Sequence, residues 1–155
     1  MIVLPTTSQL LRDVRNELAH TVAPEVHGAV ARVALEQIDI ILEQCAVRSA
    51  DEIAWMAEEI SEMLAYADDV AAATGDEATA AALVAARSNA AGTLHLDDMA
   101  HDYTLTSEAL SCALEACMAD PDQSELLRRG VEILRLRRAE RETVVRANWR
   151  LVGRG

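Results

Sequence analysis

The residues with most chemical reach lie in Asp51–Val70, DEIAWMAEEISEMLAYADDV. Glu58-Glu59-x-x-Glu62 puts three carboxylates on adjoining turns of one helix face. Such a set suits Mg²⁺, a hard cation that takes oxygen ligands. Glu17-x-x-His20 and Asp98-x-x-His101 each present a carboxylate and an imidazole one turn apart, and His95, Asp98 and Asp102 form a similar set. Trp55 and Tyr66 share a stripe with Glu52, Glu59, Glu62 and Asp69, so they could line a pocket for an apolar ligand or anchor a protein interface. Each set also has a plainer reading. The glutamates read equally as the wet face of an amphipathic helix, the histidines as surface residues, and the two aromatics as core.

Other chemistries find no support. Gly-x-Ser-x-Gly, Walker and dinucleotide patterns are absent. Cys45, Cys112 and Cys117 fit no zinc spacing and sit among apolar residues, where a thiol resists ionisation. They read as reduced core cysteines.

The elements that position these residues are all helical. With 155 residues, 51% of them hydrophobic, the chain fits a single domain over 1–155. There is no Phe and only two Trp and two Tyr, so the core must be aliphatic. Thr6 and Gln9 fit a capping box that opens a helix running to about Thr21, ended by Pro24. A second helix is expected from Glu25 to about Val47. Its apolar arc would be Val26, Val30, Val33, Ala34, Ile38, Ile41, Leu42 and Cys45, and its wet edge Arg32, Glu36, Asp39 and Glu43. Ser49 reads as the cap of a third helix, to about Thr74, with Ile53, Met56, Ile60, Met63, Leu64, Ala67 and Val70 as its core stripe. Gly75-Asp76 marks a turn before a short Ala-rich helix, Ala78–Ala91. A fifth helix spans Leu94–Ala119, with Thr104 and Thr106 as a weak spot. Asp120-Pro121 then starts a last helix to about Leu151. The expected fold is thus an all-α, up-down bundle of about six helices, four of them long.

Net charge is −12, which disfavours nucleic acid and anionic membrane as partners. All 14 basic residues are Arg, and nine of them lie between Arg128 and Arg154. The run Arg135–Glu142, RLRRAERE, either meets water or pairs with acids elsewhere. No signal-peptide pattern and no long apolar run is present, so a cytoplasmic setting is expected.

Three resemblances bear on function. Glu58-Glu59-x-x-Glu62 looks like half of the motif in all-α nucleoside triphosphate pyrophosphatases of the MazG and dUTPase type. That likeness implies Mg²⁺ as cofactor, a second acid from Asp97, Asp98 or Asp102, and phosphate-binding arginines from Arg135, Arg137, Arg138 or Arg141. The candidates Asp97, Asp98 and Asp102 depart from the family's Glu-x-x-Asp spacing. The acid–histidine pairs, with Glu36 and Glu59, resemble a ferritin-like di-metal bundle. In that fold the pairs stand on the second and fourth helices, whereas here the first pair is on the first helix. Finally, ARVALEQIDIILEQCAVRSADEIAWMAEE (Ala31–Glu59) and the ending NWRLVGRG (Asn148–Gly155) resemble a family of uncharacterised all-helical proteins from GC-rich bacteria. Its genes sit near those of phosphotransferase-like kinases and acyl-CoA dehydrogenases. This likeness implies an accessory role and carries no functional residue.

The expectation is therefore a non-catalytic binding or accessory protein, self-associating as a homodimer, with no cofactor and with a protein or small-molecule partner. The Mg²⁺-dependent pyrophosphatase, with Glu58, Glu59, Glu62 and Asp98 as metal ligands, is the alternative; a di-metal carboxylate protein is third.

Overall fold

A computed structural model of the chain describes residues 4–136. Among them the fold is all-helical, with no strand. The order is α1 (Thr7–Glu17), α2 (Ala29–Thr74), α3 (Glu77–Ser88), α4 (Leu96–Ala119) and α5 (Ser124–Leu136). A π-helical turn, Leu18–Val22, and a 3₁₀ turn, Ala23–Glu25, follow α1; a second 3₁₀ turn, Pro121–Gln123, precedes α5. No helix among the described residues is long and apolar enough to cross a membrane.

The helix count corrects the expectation of about six. Among the described residues there are five α-helices, of which α2 and α4, with 46 and 24 residues, are long; the expected run of the last helix from 137 to Leu151 lies outside them. The expected second and third helices are one. Ser49 does not cap a new helix: its hydroxyl donates back to the Ala46 carbonyl at 3.1 Å, a bond made from inside a helix. Nothing near it breaks the ladder, since Val47–Asp51 holds neither Gly nor Pro. An i, i+4 pair between Arg48 and Glu52 spans the same turn. The β-branched Thr104 and Thr106 likewise leave α4 unbroken, because each hydroxyl bonds the carbonyl four residues back.

Several local signals act as expected. Thr6 and Gln9 form the capping box of α1. Asp120 accepts from the backbone N–H of Asp122 and starts the turn into α5. Gly75 ends α2 at φ +66°, a left-handed conformation that costs a side chain and is open to glycine. Asp76 then caps α3 through the Thr79 N–H at 2.7 Å, which holds its carboxyl below the usual range.

The chain falls into two compact units, with a boundary between Glu52 and Ile53 inside α2. In the second unit, α2 contributes Met63, Tyr66, Ala67 and Val70 to a closed core. Leu83 of α3 and Ala109, Leu110, Ala113 and Cys117 of α4 complete it, and Leu126, Leu127 and Ile133 of α5 pack against it. In the first unit, α1 lies beside the N-terminal half of α2. Arg15 donates to both oxygens of Asp39, at 2.8 and 2.9 Å, and lies 3.4 Å from Glu43. Asp39 and Glu43, two of the four residues expected on the wet edge of α2, therefore face α1.

Candidate functional site

In the second unit the chemistry-bearing residues centre on Glu59. It lies on the buried stripe of α2, one turn before Met63, and is 6% exposed. The Tyr103 hydroxyl of α4 donates to its Oε2 at 2.5 Å. This bond between buried and half-buried side chains anchors α4 to α2 here. One position before Tyr103, Asp102 is also buried. It accepts from the backbone N–H of Ala91 at 2.8 Å and of Gly92 at 3.4 Å, fastening the α3–α4 loop. Asp98 accepts from the Thr93 hydroxyl in the same loop.

The four candidate metal ligands thus have different surroundings. Glu58 and Glu62 are exposed, Glu59 is buried against Tyr103, and Asp98 is bound to the loop. Among the described residues, no three His, Cys, Asp or Glu side chains come together as a metal-holding group. The angular step explains part of this. At 100° per residue, positions 59 and 62 point about 60° apart, so one enters the core as the other leaves it.

The two aromatic candidates also separate. Trp55 is half-buried. Tyr66 is 0% exposed and sits in the core. Its hydroxyl donates to Cys117 Sγ at 3.6 Å, and the Arg129 guanidinium, paired with Asp69, lies 5.9 Å from the ring centroid. Burial pushes the phenol pKa well up, with the Cys117 bond adding to it and Arg129 opposing. Gly130 of α5 is what lets that helix approach: a Cβ there would stand 2.6 Å from both Tyr66 Cζ and Leu114 Cδ2. Of the cysteines, Cys117 is buried, Cys112 half-buried and Cys45 exposed, so Cys45 departs from the core reading. Burial, with nearby Glu115, Glu108 and Asp76, raises the Cys112 thiol pKa.

The first unit holds a different kind of candidate. Leu18, Ala19 and Ala23, from the π and 3₁₀ turns, face Arg32, Leu35, Glu36, Asp39 and Ile40 across a groove of about 560 Å³. Arg15 holds the Asp39 carboxyl at this edge below the usual range, outweighing partial burial. On the other side of α2, the arc expected in the core is open. Val30 is 86% exposed, Val33 51%, Ile38 42% and Ile41 43%, with Cys45 continuing the line. Leu10 and Val14 of α1 are open as well.

Sequence reasoning missed Asp102 and Gly130 as structural residues. Asp102 left a signal: it keeps step with Met99, Thr106 and Ala109 on the buried side of α4, where an acid requires a partner. The cationic run is Arg135 onward; Arg135 lies 3.7 Å from Glu132, while Arg137, Arg138 and Arg141 lie outside the described residues. Comparison with protein-family models, with curated proteins and with solved structures gives no match.

Proposed function

We propose that the chain is a cytoplasmic, non-catalytic binding or accessory protein that works as a homodimer. The observation that carries this reading is the open apolar arc of α2 in the first unit. Contiguous exposed apolar surface on a folded protein marks interaction sites. The accessory role is what the resemblance of Ala31–Glu59 and Asn148–Gly155 implies. The Mg²⁺-pyrophosphatase reading draws less support, since Glu59 serves Tyr103 and Asp98 serves the α3–α4 loop.

The test is molar mass by light scattering across a wide concentration range. A dimer is expected, and Ile41→Glu should return it to a monomer with helicity unchanged. A wild-type monomer throughout would overturn the reading. A thermal-shift screen with Mg²⁺ and nucleoside triphosphates should leave the melting temperature unmoved. A ligand at 100 times its Kd would stabilise by about 2.7 kcal/mol and would restore the enzyme reading.

A further inference from the structure

We infer that the partner on the open face of α2 is a second copy of the chain, packed antiparallel about a two-fold axis between Gln37 and Ile38. This rests on the homodimer reading and adds the surface and its register. Flanked by Val33 and Leu42, the face comprises Val30, Ala34, Gln37, Ile38, Ile41 and Cys45, all open or half-open. Their spacing is four, three, one, three, four, which reads the same in both directions. A two-fold axis at the centre therefore sets Val30 opposite Cys45, Ala34 opposite Ile41 and Gln37 opposite Ile38 of the other copy. Small then meets large at Ala34 and Ile41, as interdigitated helices require. A two-fold interface uses one patch twice, so it must complement itself.

The charges fit the same arrangement. Each copy carries a net charge of −12, so most faces repel a second copy. This face has no Asp, Glu or Arg from Val30 to Cys45. The acids of the segment, Glu36, Asp39 and Glu43, lie on the α1 side, where Arg15 engages Asp39 and Glu43. Two copies meet here without opposing carboxylates.

The seam is short. From Val30 to Cys45 it runs about 22 Å at 1.5 Å per residue. That length of one helix falls below the roughly 800 Å² per partner of a standard interface. The dimer is accordingly one that dilution dissociates.

The register is tested by Val30→Cys, a change at an exposed position, in the full chain under a mild oxidant. A disulfide forms only between close cysteines. Val30→Cys should give a covalent dimer on a non-reducing gel, lost when Cys45→Ser is added; wild type should give none. A dimer by light scattering that fails to crosslink, or one whose crosslink survives Cys45→Ser, overturns the register and leaves the homodimer reading standing. A monomer at every concentration, its face covered by another part of the chain or by another protein, overturns both.

Discussion

From Ile53 onward α2 lays Met63, Tyr66, Ala67 and Val70 into a core that α3, α4 and α5 close. Before Glu52 the same helix keeps company with α1 and its following turns, among the described residues, and Val30, Val33, Ile38 and Ile41 stay open. Val33 is as apolar as Val70, so hydrophobicity does not separate them. What separates them is how many helices arrive. Three incoming helices can cover a wide arc of α2, whereas α1 covers one edge and spends its contact on the Arg15–Asp39 pair. An apolar stripe needs a surface of matching length to bury it, and the second unit supplies one from within.

The contrast can be broken by substitution. The largest effect belongs to the closed core: Met63→Ala leaves a cavity and should cost about 2–5 kcal/mol in chemical denaturation. Val33→Ala, measured where the chain is monomeric, should stay within about 0.5 kcal/mol. Equal costs would show that the two halves are equally packed. Gly130→Ala comes next, at about 1–3 kcal/mol, because its Cβ would collide with Tyr66 and Leu114. Asp102→Ala should cost about 1–3 kcal/mol by stranding the Ala91 and Gly92 N–H groups, while Asp102→Asn, which still offers one carbonyl oxygen, recovers part of it.

The smallest effect is acid sensitivity in the first unit. Arg15 lowers the folded-state pKa of Asp39 from its ordinary 3.8. Its contribution is thus fully present above 3.8 and lost as pH falls through the lower folded value. The melting-temperature difference between wild type and Asp39→Asn should therefore shrink below pH 3.8. A difference that persists there would mean that Asp39 acts by packing instead of charge.

Much of the fold was legible in the sequence because its signals are local. The capping box at Thr6, the turns at Gly75 and Asp120-Pro121, and the 3.6-residue stripes each depend on a few neighbours. The break expected at Ser49 failed for the same reason: a serine caps or back-bonds according to whether the helix before it has ended, and Val47–Asp51 holds no residue that ends it. Faces were harder. The sequence offered two stripes on α2 one residue apart, and Glu59 and Tyr66 fell on the buried side because α4 brought Tyr103 and Cys117 to meet them. The direction from which a helix will be covered is a property of distant residues. That is why the candidate site divided, with Glu59 inside and Glu58 and Glu62 outside.

The continuity of α2 through Ser49 has a kinetic consequence. One uninterrupted ladder of amide hydrogen bonds runs from a half covered on one edge to a half enclosed by three helices. Deuterium uptake along it should form a staircase: early amides exchange through local fraying and late ones only when the whole second unit opens. Dimerisation should slow exchange between Val30 and Cys45 selectively, so the rise of that lower step with protein concentration reports the association residue by residue.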